Sequence, residues 1–231
     1  MNLEHSNTLY TEHETPAFAR VLLPAALPAL NLYAGVGGNR KKWKGVKVTA
    51  VEKDERIAAV YKKLYPEDEV IVGDAHEYLL NNYQRFGFIW SSRPCQTHSR
   101  MQIATRHTGK KFPDMVLYEE VIFLKHFFKG KWVVENVKPY YKPLIEPTAI
   151  IGRHYFWSNF DIPKFEIEQP KGFIKKTSLA ERKELMDWLG IHFEEKIYYE
   201  KSHCHTQVLR NCVHPEIGRH VLDAALSLGC R

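Results

Sequence analysis

Short apolar runs that alternate with longer amphipathic ones limit the folds open to this chain more than any other feature. Leu30 to Ala34, Val46 to Val51, Val70 to Val72, Phe86 to Trp90 and Trp132 to Val134 have the length and character of buried strands. Between them, Arg56 to Leu64, His76 to Tyr83 and Met115 to Phe128 place apolar residues at helical spacing. Strand followed by helix, repeated, is the signature of an α/β domain whose mostly parallel sheet is covered by helices on both faces. Such sheets bind ligands beyond the carboxyl ends of their strands, so the residue after each run is where chemistry is expected.

Three of those ends suit a nucleoside. Ala34-Gly35-Val36-Gly37-Gly38 follows the first run, and its glycines allow a tight turn and close approach of backbone to ligand. The spacing is not that of the dinucleotide fingerprint, and taken alone it fits a plain loop equally well. The second run ends at Glu52, where an acid typically accepts from ribose hydroxyls, and the third at Gly73-Asp74, where a carboxylate can receive an adenine amino group. An exposed acid or a loop glycine accounts for any one of them; together they favour an adenosyl ligand.

The fourth end is more specific. Phe86 to Trp90 runs into Ser91-Ser92-Arg93-Pro94-Cys95-Gln96, a proline-stiffened loop carrying a lone cysteine. From Tyr78 to Pro113 the sequence has no acid, while Arg85, Arg93, Arg100, Arg106, Lys110 and Lys111 all fall there, so a polyanion can lie along it. A cysteine in an electropositive setting is held more as thiolate, which makes Cys95 a candidate nucleophile, although a small buried hydrophobe is the usual fate of cysteine. The other cysteines, 204, 212 and 230, show no CxxC spacing, so free thiols are expected, and the His203 to His214 cluster is not read as a metal site. The fifth run ends Val134-Glu135-Asn136-Val137, bringing a carboxylate to the same sheet edge.

Asn31 to Gly38, then Pro94-Cys95-Gln96, then Glu135-Asn136-Val137, and finally Gln207 to Val213 resemble the ordered motifs of cytosine-5 DNA methyltransferases. The likeness covers residues 29–160 and 203–228 and implies an S-adenosylmethionine-dependent, Rossmann-like fold with a small target-recognition insert. It implies that Tyr33, Gly35, Gly37 and Gly38 hold the methionine part of S-adenosylmethionine, Glu52 its ribose and Asp74 its adenine, with Asn211 joining them. Cys95 would add to carbon 6 of cytosine, making carbon 5 enamine-like, and Glu135 would hydrogen-bond ring nitrogen 3 and the exocyclic amine. Arg153 in Gly152-Arg153-His154-Tyr155-Phe156 resembles the first member of the family's Arg-x-Arg element, with Tyr155 in place of the second. Gln96, Ser99, Arg100, Arg106, Lys110 and Lys111 would contact DNA and help hold the flipped base.

Departures from the family pattern are equally visible. Arg93 stands where proline is usual, Asn31 where an acid is common, and Arg210-Asn211 where Gly-Asn is usual. Residues 39–45 are too few for the three-turn helix expected after the glycine turn, so that helix must be short or irregular. Four regions follow: an arm at 1–28, a catalytic domain at 29–164, a target-recognition region at 165–205 and a segment at 206–231 that packs back on the sheet. In the third, Ser178-Leu179-Ala180-Glu181 reads as a capping box, and Leu185, Met186 and Leu189 as an apolar stripe ending at Gly190. In the last, Ile217, Val221 and Leu222 read as core.

With 231 residues, 44% hydrophobic and 26% charged, a net charge of +6 and no long unbroken apolar run, the chain reads as a soluble, cytoplasmic monomer acting on double-stranded DNA, with no membrane partner. The same attack works on cytosine in tRNA, and a catalytically silent DNA-binding protein could share the fold. The sequence names neither the recognised bases nor a restriction partner.

Overall fold

A computed structural model describes residues 26–100, 112–168, 179–198 and 204–227. Its centre is a seven-stranded sheet of β1 (Leu27–Leu32), β2 (Val46–Glu52), β3 (Glu69–Val72), β4 (Phe88–Ser92), β5 (Lys131–Val137), β6 (Ala149–Ile151) and β7 (His154–Ser158), in the order β3-β2-β1-β4-β5-β7-β6. β1 to β5 are mutually parallel; β7 runs antiparallel to both β5 and β6. The order reverses between β1 and β4, which opens a crevice at their carboxyl ends. This is the Rossmann-like, S-adenosylmethionine-dependent methyltransferase fold.

Side-chain alternation sorts two cores onto the two faces. Leu30, Leu32, Ile89, Trp132, Val134 and Trp157 point to one face, where they meet Leu79 of α2 (Ala75–Asn82) and Leu117, Val121 and Leu124 of α3 (Val116–Phe127). Ala29, Phe88, Trp90, Val133 and Phe156 point to the other, under Trp43 and under Ile217, Val221 and Leu222 of α6 (Pro215–Ser227). A third cluster joins Val36 to Ile57 and Val60 of α1 (Glu55–Leu64), to Leu185, Met186 and Leu189 of α4 (Leu179–Leu189), and to Val208 and Leu209 of α5 (Gln207–Arg210). The core residues expected in α4 and α6 are all buried. Ser178 of the expected capping box lies outside the described residues, and the Glu181 carboxylate accepts from the Arg210 guanidinium.

β1 begins three residues earlier than its apolar run suggests, because Pro28 belongs to it. The Pro28 carbonyl accepts from Gly87 N–H on the β4 side, so its missing donor also faces that side, beyond the start of the β1–β4 ladder at Ala29 and Phe88. After β1 the chain forms no helix; turns carry it through residues 36–42 to β2. A buried carboxamide pair fixes this turn, Asn39 Nδ2 donating to Asn31 Oδ1 at 2.8 Å. A second tie is Arg40, which is bidentate to the buried Asp68 at 2.8 Å in both bonds.

Candidate active site

The crevice is a cavity of about 450 Å³, walled by the turn after β1, the ends of β2, β4 and β5, the hairpin between β6 and β7, and the turn after α5. Tyr33, Gly35, Gly38, Glu52, Asp74, Cys95, Gln96, Glu135, Arg153 and Asn211 all line it. Residues from four separate motifs are thus brought to one place. Gly37 does not line it: a β-carbon there would meet the Tyr65 ring and lie 2.9 Å from Tyr61 Cε2, so this glycine lets α1 and its following loop close on the turn. Ser99, bridged to Pro139, and exposed Arg100 lie beside the cavity walls rather than among them. Arg106, Lys110 and Lys111 lie outside the described residues.

Gly35, Glu52 and Asp74 form one part of the cavity wall. Glu52 is buried, and its carboxylate accepts from Gly35 N–H at 2.9 Å and from Asp54 N–H at 3.0 Å. Burial raises its pKa while those N–H groups oppose the rise. The acid therefore holds the glycine turn in shape as well as facing the ligand space. Gly35 has φ +56°, and a β-carbon added to it meets nothing within 4 Å, so the room beside the turn is open to a bound group. Asp74 caps α2 by accepting from His76 and Glu77 N–H at 3.0 and 3.1 Å, bonds that hold its carboxyl below the usual range, while its other oxygen lies 3.8 Å from Lys53 Nζ. Two carboxylates around an open glycine turn suit the hydroxyl and amino groups of an adenosyl ligand.

Cys95, Glu135 and Arg153 lie near one another in another part of the wall. Cys95 follows Pro94 on the loop after β4, and its carbonyl accepts from His98 and Ser99 N–H at 3.0 and 2.9 Å, which folds the loop into a turn. Asn136 Nδ2 donates to the Arg93 carbonyl at 3.0 Å and ties the loop to β5. Glu135 sits directly across from Ser92 in the β4–β5 register, and the Ser92 hydroxyl donates to Glu135 Oε2 at 2.7 Å. Arg153, at the tip of the hairpin turned by Gly152 (φ +56°), donates to the Arg210 carbonyl. Burial lowers its pKa, which the nearby Glu135 and Cys95 oppose.

The expected thiolate is not what this setting produces. Burial pushes the Cys95 thiol up, the Glu135 charge adds to the rise, and Arg153 opposes both. The stretch around Cys95 is free of acids along the chain but not in space, because β5 delivers Glu135 from forty residues away. Arg93 likewise does not offer its charge to a polyanion. Its guanidinium donates to Tyr33 Oη, to Glu120 Oε1 at 3.2 Å and to Asp114 Oδ2 at 2.6 Å. Glu120, fully buried on α3, also accepts from Tyr33 Oη and Ser91 Oγ, each at 2.6 Å, and lies 3.1 Å from His76 Nδ1. Tyr33 is held as a neutral phenol, its pKa driven far up by burial and by Glu120.

His76 and His154 are among the cavity residues that the sequence reading did not single out. His76, two residues after Asp74, lines the wall with its Nδ1 3.1 Å from Glu120 Oε1. His154 is buried on β7 with Nδ1 against Glu135 Oε1. The residue beside Glu135 is therefore His154, and Tyr155, expected in the place of the second arginine, turns to the opposite face and packs on Trp157. The antiparallel register that sets this is not encoded in any local motif.

Residues 27–143 match the model of the family described as C-5 cytosine-specific DNA methylase. No curated protein matches the sequence. Among solved structures, a hypothetical protein from Thermus thermophilus is 17% identical, with 64% of this chain and 92% of that one covered at a TM-score of 0.38. A mutant of DNMT2 from Spodoptera frugiperda is 25% identical over 48% of this chain and 36% of that one, TM-score 0.35. A SAM-dependent methyltransferase from Agrobacterium tumefaciens is 13% identical over 52% and 41%, TM-score 0.36. These overlays are loose, and the assignment rests on the sequence match. That match begins at the first residue of β1, passes through the cysteine loop and ends beyond β5, more than half of the 231 residues, so the chain belongs to the C-5 cytosine-specific DNA methylase family, whose methyl donor is S-adenosylmethionine.

Proposed function

We propose that the protein methylates carbon 5 of cytosine in double-stranded DNA through a covalent bond between Cys95 and the base. The observation that supports this reading is the convergence of Cys95, Glu135 and Arg153 in one cavity with Gly35, Glu52 and Asp74. S-adenosylmethionine, held beside Gly35, supplies an electrophilic methyl group. The chain's own residues do the rest. Cys95 gives up its proton to water and its sulfur bonds to carbon 6, while the Glu135 carboxyl gives a proton to ring nitrogen 3, so that carbon 5 becomes enamine-like and takes the methyl group. Base then removes the carbon 5 proton, the bond from sulfur to carbon 6 breaks, and nitrogen 3 returns its proton. Arg153, beside both Cys95 and Glu135, stabilises the thiolate.

A stacked base must leave the duplex to reach the cavity, at a cost of a few kcal/mol. The loop after Gln96, with Ser99, Arg100, Arg106, Lys110 and Lys111, takes the role of closing over the base and holding phosphates. Residues 165–205 serve as a reduced recognition region between the catalytic domain at 29–164 and the returning segment at 206–231, with 1–28 as an arm. So small a region delivers few side chains to a groove, which favours a target of roughly two to four base pairs.

Duplex DNA carrying 5-fluorocytosine tests the reading, since fluorine at carbon 5 cannot leave as a proton. With S-adenosylmethionine the protein is expected to form an adduct that survives denaturation, and Cys95→Ser none. An adduct only with tRNA would move the substrate to RNA; no adduct with duplex DNA, single-stranded DNA or tRNA would leave a silent DNA-binding protein.

A further inference from the structure

The buried contact between His154 and Glu135 is not used by the chemistry above. Both residues are almost fully buried, at 4% and 5% exposure, and both face the cavity. The two carboxyl oxygens of Glu135 are differently occupied. Trp90 Nε1 donates to Ser92 Oγ at 2.7 Å, so the Ser92 hydroxyl hydrogen is committed to Glu135 Oε2 at 2.7 Å. Oε2 thereby accepts from Ser92, while Oε1 meets His154 Nδ1. The remaining titratable groups close to this pair are Cys95 on the loop after β4, Arg153 on the hairpin and, beyond Arg153, Cys212 after α5.

We propose that His154 is a positioning residue that holds Glu135 loaded with the proton cytosine needs, so that the buried Glu135–His154 pair acts as one acid. The proposal rests on the cytosine reading given above. In its loaded form the pair carries the imidazole's own proton and one more, shared between Oε1 and Nδ1. As Cys95 Sγ bonds to carbon 6, the Glu135 carboxyl passes the second proton to ring nitrogen 3, leaving a carboxylate beside a neutral imidazole that keeps its own proton. Once water has taken the carbon 5 proton and the bond from sulfur to carbon 6 has broken, nitrogen 3 returns its proton to the pair. A lone buried carboxylate could accept from the exocyclic amine but would have no proton to give; the neighbouring imidazole supplies its store.

His154→Asn and His154→Ala separate this role from a merely structural one. The asparagine amide can donate to Oε1 from nearly the place of Nδ1 but cannot hold the second proton. The attack step is read by tritium release from cytosine labelled at carbon 5 in duplex DNA, over a range of pH. For His154→Asn, kcat is expected to fall about 10²-fold with KM for DNA nearly unchanged, and the alkaline limb of the pH profile to move to lower pH. His154→Ala is expected to lose more, without rescue. Melting curves with S-adenosylhomocysteine confirm that each variant still folds and binds cofactor. If His154→Asn matches the wild type in kcat and pH profile, the inference fails while the cytosine reading stands. If the wild type neither releases tritium nor forms the 5-fluorocytosine adduct, the cytosine reading fails and takes this inference with it.

Discussion

The Arg93 guanidinium lies 3.2 Å from the carboxylate of Glu120, whose side chain has no exposed surface. Arg93 stands two residues before Cys95, at a position where the family usually has proline, and Glu120 belongs to α3. This ion pair therefore connects the cysteine loop to a helix of the core. Tyr33 Oη joins both, so the turn after β1 is held by the same knot.

Arg93→Met is expected to cost about 3 kcal/mol, the lower part of the range for stranding one member of a buried pair, because Ser91, Tyr33 and His76 still face Glu120. Adding Glu120→Gln should return much of that loss. A double-mutant cycle by urea unfolding checks it; additive losses would mean that the pair is not coupled.

His76 gives the same knot a pH dependence. Its hydrogen bond to Glu120 raises its pKa above the ordinary value near 6.5, with burial opposing. The stabilisation is fully present below that ordinary value and is lost as pH rises through the higher folded value. Melting temperature should thus fall more between pH 6 and pH 8 in the wild type than in His76→Gln. Parallel curves for the two proteins would remove His76 from the account.

Gly35→Ala and Gly37→Ala should separate cofactor binding from folding. At Gly35 there is room for a β-carbon, and the cost to folding is about 1 to 2 kcal/mol for a left-handed backbone, but the methyl group enters the ligand space. At Gly37 the same backbone cost comes with a clash against Tyr65 and Tyr61. S-adenosylhomocysteine is expected to raise the melting temperature of the wild type, to do so weakly for Gly35→Ala, and to find little folded Gly37→Ala. Wild-type stabilisation of Gly35→Ala by this ligand would move the site elsewhere.

Alkylation of Cys95 reports on its environment directly. Because burial and Glu135 raise the thiol's pKa, iodoacetamide at pH 7.5 should label it more slowly than an exposed cysteine. Arg153→Ala removes the positive charge that opposes the rise and should slow labelling further. Mass spectrometry of the Cys95 peptide gives the rates, and an unchanged rate in the variant would deny the coupling.

The parallel part of the sheet was legible because its five strands are short apolar runs, four of which end in or lead into a polar residue that the sequence singles out: Glu52, Asp74, Cys95 and Glu135. Periodicity is local, and these strands need only local information. β6 and β7 were not read from the sequence, since Ala149–Ile151 is very short and His154–Ser158 is set by pairing with β5. That long-range register decides that His154, not Tyr155, meets Glu135. The role of Arg93 was hidden for a similar reason: its partners Tyr33, Asp114 and Glu120 come from three other segments, so a charge count along the chain assigned it to a polyanion.

The turn after β1 is bordered by chain from the other end of the sequence. A β-carbon on Gly38 would lie 2.5 Å from the Val213 carbonyl oxygen, one on Gly218 would lie 2.7 Å from the Asn39 carbonyl carbon, and Trp43 Nε1 donates to the Gly218 carbonyl at 3.0 Å. During synthesis the glycine turn emerges well before Val213 and α6. A nascent chain that stops short of Val213 can hold the strands β1 to β5 yet lacks the surface against which this turn is set. The turn therefore takes its final shape only after residues far along the chain have been made.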